Sequence, residues 1–279
     1  MSASEPLDMR RVVGRADVLF LTLDCLRFDV AQAALVAGRT PTLGALLPPG
    51  GWEPRETPGT FTLPAHLAFF HGFLPTPMTP GPHPRLFALA FDGSLTIAPT
   101  THVFHEADDI VAGFAALGYR TFCVGGVGFF NKRTPLGNVL PGFFAESVWS
   151  PDLGVTARDS TANQVRVALD WLGSVPSEQR VFLFINISAT HPPHAYHLEG
   201  ATEDCVLSQE AALAYVDSQL PPLFAALRRR GPCLCLVLAD HGEAHGEDGR
   251  RGHRIAHPTV TTVPYANFFL DRPAPAGER

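Results

Sequence analysis

The run Cys233–Ala239 (CLCLVLA), ending at once in Asp240-His241-Gly242, constrains this chain more than any other stretch. A short apolar run bounded by turn residues is the mark of a strand buried on both faces, as in a parallel sheet covered by helices. Gly242 then lets the backbone turn away, so Asp240 and His241 are expected at the carboxyl end of a central strand. In open α/β sheets that rim is where ligands bind. A carboxylate beside an imidazole is a donor pair suited to zinc, manganese or iron, and His245, His253 and His257 follow it. Alone, an Asp-His turn is more often an ordinary polar loop; the rest of the chain reverses that weighting.

Residues Asp17–Asp24 (DVLFLTLD) repeat the pattern, a second apolar run delivering an acid, Asp24, to the rim. Two strands that bring acids to one rim can converge on one cation. The competing role for Asp24 is a cap on the next helix, and capping does not exclude ligation. Arg27 and Asp29 are expected to form a local ion pair. Farther on, Pro64 fits only a first helical turn and Gly72 fits a helix stop, which sets Thr62 at or beside a helix N-terminus. There its hydroxyl either caps the helix or faces an anion drawn by free N–H groups and the helix dipole.

Strands are expected at Arg120–Val124, Val181–Ile187 and Val263–Leu270, and helices at Arg39–Pro48, Ala107–Leu117, Ser160–Leu172 and Gln209–Arg230. The alternation predicts a three-layer α/β/α sandwich with a mostly parallel central sheet. The glycine-rich loop GGVGFFNKRTPLG matches neither a P-loop nor a dinucleotide fingerprint and reads as turns. His191 and His194 leave the end of the Val181 strand in a proline-rich loop; beside proline, His194 and His197 read as inert surface positions.

With 279 residues, 46% of them hydrophobic, the chain can bury a full core, and one domain is favoured over two. A formal charge of −6 gives no global basic field for nucleic acid or anionic membrane. No apolar run approaches the roughly 18 residues of a membrane span, and the first residues lack a signal pattern. The expectation is a soluble, cytoplasmic protein with neither nucleic-acid nor membrane partner. Its five cysteines, without CxxC pairs, read as thiols in a reducing compartment.

Together these residues resemble the alkaline phosphatase superfamily, most closely its sulfatase-like branch. The likeness is carried by Asp24, the segment Thr40-Pro41-Thr42-Leu43-Gly44-Ala45-Leu46, and Thr62-Leu63-Pro64-Ala65-His66 with the helix end His71-Gly72. Gly118-Tyr119-Arg120-Thr121, His191-Pro192-Pro193, Ala239-Asp240-His241-Gly242-Glu243 and His253 complete it in family order. The departures are Cys25 where sulfatases have a second aspartate, and His66 where they have arginine. Thr62 stands at the position of a cysteine or serine that matures to formylglycine, a route closed to threonine by its β-methyl.

The resemblance implies one catalytic domain over 1–279 without a separate C-terminal subdomain. It implies a divalent cation, zinc or manganese, held by Asp24, Thr62, Asp240 and His241, with a second cation an open matter. Thr62 would be the nucleophile and His191 the acid and base; His253, Lys132 and His194 are the candidates for substrate contact. The expected activity is hydrolysis of a small-molecule phosphate ester through a phosphothreonine. The alternatives are transfer of a phospho-headgroup or phosphosugar, and action on sulfate esters or phosphonates.

Overall fold

The computed structural model describes residues 7–72, 87–88, 102–103 and 109–270. In chain order its elements are β1 (Asp17–Leu23), α1 (Phe28–Val36), α2 (Pro41–Gly44), β2 (Glu53–Glu56) and α3 (Thr62–His71). The two-residue strands β3 (Phe87–Ala88) and β4 (His102–Val103) pair in parallel. Then come α4 (Ile110–Ala116), β5 (Arg120–Val124), β6 (Glu146–Val148), α5 (Ser160–Ser174) and β7 (Val181–Ile187). The remainder is α6 (Val206–Gln219), α7 (Pro221–Arg230), β8 (Cys233–Leu238), β9 (Ala244–His245), β10 (Arg251–Gly252), α8 (Pro258–Thr261) and β11 (Thr262–Leu270).

Seven strands form one sheet in the order β2-β11-β8-β1-β7-β5-β6. β8, β1, β7, β5 and β6 run parallel, whereas β11 and β2 close one side antiparallel. Every residue of β1 and β7 is buried. Because side chains alternate, each strand feeds two cores. Leu19, Leu21 and Leu23 of β1 join Leu183, Ile185 and Ile187 of β7 under α1, α5, α6 and α7. Val18, Phe20, Phe182 and Phe184 face the other way, into a core with Leu67 and Phe70 of α3 and Val111 of α4. The sheet is therefore sandwiched between helical layers, as the alternation predicts.

The differences from the sequence reading lie at boundaries and edges. The expected single helix over Gln209–Arg230 is two, because Pro221 and Pro222 withhold the N–H groups that would continue it. The expected helix over Arg39–Pro48 contracts to α2. β2 and β6, short edge strands, are not among the strands expected from the sequence. The start of the expected helix at residues 107–108 lies outside the described residues.

Register sets the functional rim. Leu23 is opposite Ile187, and Thr22 is opposite Leu238. The residues just past these pairs, Asp24, Ser188 and Ala239-Asp240, therefore leave the sheet together at one end. At the opposite end Asp17 is buried against Arg230 (Nε to Oδ2, 2.9 Å) and Arg180 (3.4 Å).

Candidate metal centre and active site

Asp24, Asp240 and His241 are fully buried, and Thr62 is nearly so. His241 occupies the middle. Its Nδ1–H donates to the Gly242 carbonyl at 3.0 Å, leaving the Nε2 lone pair free. That nitrogen lies 3.7 Å from Asp24 Oδ1, 3.5 Å from Asp240 Oδ2 and 3.4 Å from Thr62 Oγ1. Two ligands about 2.05 Å from a tetrahedral cation stand about 3.3 Å apart, so these separations match donors around one ion. Asp24 Oδ1 and Asp240 Oδ2 are buried with no hydrogen-bond partner among the described residues. A buried carboxylate oxygen left so is costly, and a cation is the group that would satisfy both. The donor set thus fits a divalent metal.

The second oxygens are fixed by protein. Asp24 Oδ2 accepts from Asn186 Nδ2 at 2.8 Å, and Asp240 Oδ1 accepts from the backbone of Cys25 and His241 at 3.3 and 3.0 Å. Thr57 Oγ donates to the Asp240 carbonyl. Burial opposes ionisation of Asp24, yet the nearby His191 and His241 and the Asn186 hydrogen bond together hold its pKa below the ordinary value. Burial, then the Asp24 charge, push Asp240 well above the carboxylate range. Burial also drives the His241 pKa down to about 4, against the pull of Asp24, so its ring is neutral, as a metal ligand must be.

Thr62 is the first residue of α3, whose N-cap, Phe61, makes no side-chain cap. The Thr62 hydroxyl does not cap the helix; it points at Asp24 Oδ2, 3.5 Å away, and at His241. Asp24 does not cap either, since α1 is capped at Arg27. Gly72 ends α3 at a left-handed φ of 70°, the conformation that favours glycine. Gly242 is required for a different reason: a Cβ there would lie 2.0 Å from the Thr259 carbonyl.

Beside the buried centre lies a more open group. His253 Nδ1–H donates to Glu243 Oε2 at 2.6 Å, and its ring sits 4.6 Å from that of His241. His191 packs edge-on against His253 at 5.6 Å. Cys25 Sγ contacts Glu243 Oε2 at 3.6 Å and His253 Nδ1 at 3.7 Å. Burial, then the charges of Asp24, Glu243 and Asp240, keep the Cys25 thiol protonated in the metal-free protein. Arg27 pins this loop from below, donating to Asp29 at 2.8 and 2.6 Å, to Glu247, and to the Glu243 carbonyl at 3.4 Å. The expected Arg27–Asp29 pair is present.

Two candidates stand apart from the cluster. Lys132 donates its ammonium to Ser147 O and Oγ, both 2.9 Å away on edge strand β6, and none of its hydrogen bonds reaches the site. His194 is fully buried, not a surface residue: its Nδ1 meets Ser208 Oγ at 2.8 Å and its ring packs on His245 at 5.4 Å. Asn186 was not anticipated. It binds Asp24, Thr22 Oγ1 at 3.2 Å and the Val127 N–H at 3.0 Å, and the signal for it was a lone amide inside the apolar run VFLFINI. The glycine-rich loop serves this residue, since a Cβ on Gly126 would lie 2.1 Å from the Asn186 carbonyl. His66 is a core residue: Nδ1–H donates to the Thr62 carbonyl at 2.7 Å and Nε2 accepts from Thr22 at 3.2 Å.

No protein-family model matches this chain, and no curated protein does. Solved structures do. A protein in the alkaline phosphatase superfamily from Vibrio parahaemolyticus superposes with a TM-score of 0.53 at 15% identity, over 93% of this chain and 60% of that one. The chain has the alkaline phosphatase superfamily fold. The C-terminal periplasmic domain of phosphoethanolamine transferase EptC from Campylobacter jejuni gives 0.62 at 14% identity, over 93% of this chain and 81% of its own. The corresponding EptC domain of Escherichia coli, in complex with zinc, gives 0.64 at 11%, over 92% and 74%. At these identities the likeness is one of fold. It corrects one expectation: the cytoplasmic location drawn from composition is overturned, because these superfamily neighbours are periplasmic domains. No helix among the described residues is long and apolar enough to cross a membrane.

Proposed function

We propose that this protein is a metal-dependent transferase that moves a phosphorus-containing headgroup from a phosphodiester donor to an acceptor hydroxyl through a covalent phosphothreonine at Thr62. One observation carries the reading. The Thr62 hydroxyl, at a helix N-terminus, converges with Asp24 and His241 within 3.5 Å, next to two carboxylate oxygens that have no hydrogen-bond partner among the described residues. The fold shared with phosphoethanolamine transferases favours transfer over the hydrolysis expected from sequence.

A divalent cation bound by Asp24, Thr62, Asp240 and His241, zinc being the first candidate, supplies Lewis acidity that lowers the Thr62 hydroxyl pKa and screens substrate charge. Thr62 Oγ, its proton lost to solvent, attacks phosphorus; the new Oγ–P bond forms as the bond to the leaving oxygen breaks, and Thr62 leaves again without a proton at the end of the cycle. The N-terminal turn of α3 faces the charge on the phosphoryl oxygens. In the enzyme holding one cation, His191 gives its proton to the leaving oxygen. The acceptor hydroxyl then returns a proton to His191 as it attacks phosphorus and frees Thr62. His253, held by Glu243, contacts the substrate anion.

The test is turnover of a headgroup phosphodiester by the zinc-loaded protein, with product analysis in the presence and absence of an alcohol acceptor. Thr62→Ala is expected to lose at least about a thousandfold in kcat, the scale of losing a covalent nucleophile, while still binding zinc. A headgroup mass retained on the Thr62 peptide after quenching supports the intermediate. Undiminished turnover by Thr62→Ala refutes it, and release to water unaffected by acceptor returns the hydrolase reading.

A further inference from the structure

One face of β1 and β7 changes character as the strands approach the rim. Val18, Phe20, Phe182 and Phe184 belong to one apolar core. The next residues on that face, Thr22 and Asn186, are polar, fully buried and directly opposite each other. From the helical layer His66 of α3 reaches Thr22, while its ring lies 5.5 Å from that of Phe184 and 5.4 Å from that of Phe130. These three residues thus separate an aromatic core from the buried centre. We propose that Thr22, Asn186 and His66 are positioning residues, one hydrogen-bonded chain that sets the Asp24 carboxylate against the Thr62 nucleophile before a cation binds. Their role rests on the cation-binding reading of that centre given above, and not on whether the phosphoryl group passes to an alcohol or to water.

Only one assignment of hydrogens satisfies the chain. Asn186 Oδ1 accepts the Val127 N–H at 3.0 Å, which turns the two amide N–H bonds towards Asp24 Oδ2 at 2.8 Å and Thr22 Oγ1 at 3.2 Å. The Thr62 carbonyl can only accept, so His66 Nδ1, 2.7 Å away, carries the ring hydrogen. That leaves His66 Nε2 to accept from the Thr22 hydroxyl at 3.2 Å. The loop closes through the Thr62 hydroxyl, 3.5 Å from Asp24 Oδ2. His66 Nδ1 is also 3.6 Å from Asp240 Oδ2, so the same ring faces the second carboxylate.

Packing alone would be served by apolar side chains at positions 22 and 186, which would extend the core of Phe20 and Phe184 with no polar group to satisfy. A buried hydroxyl and amide are costly unless paired. Here every hydrogen is paired, and the pairing runs outward from Asn186 to the two groups the reaction uses, Asp24 directly and Thr62 through Thr22 and His66. A fully satisfied buried network is rigid, and partners of this kind fix the orientation of metal ligands. The Asn186 main chain is clamped too, its carbonyl accepting from Gln164 Nε2 at 2.6 Å. A strand end and a helix start, which come from different layers of the fold, are thereby held at the separation that a shared cation needs.

The full chain is stripped by chelator, then titrated with Zn(II) against a competing chelator and with Co(II) to record its visible d–d bands. Thr22→Val keeps the side-chain shape and removes only the hydroxyl. It is expected to bind zinc about 10- to 100-fold more weakly, the range over which the outer partners of metal ligands act, and to shift the cobalt bands, with the number of bound ions unchanged. In turnover its kcat should fall with KM little changed. Thr22→Ser, which restores the hydroxyl, should recover affinity, bands and kcat. His66→Asn cuts the same chain one link farther on, so the double variant should bind zinc no more weakly than the worse single one, as coupled groups require. A Thr22→Val protein that melts lower yet keeps wild-type zinc affinity and cobalt bands overturns the assignment, because the layer then serves the fold alone. Thr22→Ser as impaired as Thr22→Val, or losses that add in the double variant, overturn it as well. Should Thr22→Val not fold, His66→Asn against wild type decides on the same two metal readouts. If wild type turns over no phosphodiester while the zinc and cobalt shifts appear, only the transfer reading fails; if wild type turns over and Thr22→Val binds zinc as wild type does, only the positioning chain fails.

Discussion

Replacing Asp240 with asparagine separates what the centre costs the fold from what it does with metal. Without a cation, Asp24 and Asp240 are buried carboxylates, each with one oxygen that has no hydrogen-bond partner among the described residues. Burial and the Asp24 charge raise the Asp240 pKa well above 3.8. A carboxyl group whose pKa is raised on folding adds stability that is full below its unfolded value and is lost as pH rises through its folded value. In the metal-free protein the ionised pair is therefore a liability at the high-pH end of that window. Asparagine keeps the shape, removes one charge and puts a donor where the lone oxygen was, 3.5 Å from His241 Nε2. An unsatisfied buried group costs about 1–3 kcal/mol, and a domain of this size responds by roughly 2–4 °C per kcal/mol. Metal-free Asp240→Asn should thus melt about 2–12 °C above metal-free wild type. Zinc at about 100 times its Kd adds about 2.7 kcal/mol to wild type, a rise of roughly 5–11 °C, and nothing comparable to the variant. Thermal melts in chelator and in zinc measure both differences. A variant that melts below wild type in chelator, or an equal zinc shift in both proteins, refutes the argument that these oxygens await a cation.

Two further outcomes follow from side chains around the centre. His66 lies among Phe69, Phe70, Phe130 and Phe184, with ring centroids 5.4–6.1 Å away, and both its nitrogens are hydrogen-bonded. His66→Ala should cost about 2–5 kcal/mol in denaturant unfolding, as other large-to-small core changes do, while zinc stoichiometry stays the same. Burial opposes the ionisation of Glu247, but its bond to Arg27 prevails and lowers its pKa from 4.5 to about 2. The pair's stabilisation should be present above the unfolded value of 4.5 and vanish as pH falls towards about 2. Because Glu247 is partly solvent-screened, the gap between wild type and Glu247→Gln should be no more than about 1 kcal/mol at neutral pH, shrinking on acidification in urea melts.

The legible part of this molecule was its rim, and the reason is geometric. Apolar runs buried on both faces have no side-chain alternation to blur their ends, so β1, β7 and β8 could be bounded within a residue. Parallel pairing then forces their carboxyl ends to one edge, which is why Asp24 meets Asp240 and His241 although the two strand ends are far apart in sequence. What stayed hidden depends on contacts that no spacing encodes. Asn186 sits mid-strand and gains its role only because β7 lies beside β1, opposite Thr22. Lys132 was a candidate for substrate contact, yet with a left-handed φ of 56° it sits where its ammonium reaches Ser147 on β6. Cys25 was readable as a departure but its surroundings were not, because its partners Glu243 and His253 come from a loop held by the buried guanidinium of Arg27. A strand end can be located from its own residues, whereas the loop that completes the site is placed by ion pairs across the fold. Substitution within that loop is accordingly where substrate choice can change while the buried Asp24–Asp240–His241 geometry is kept.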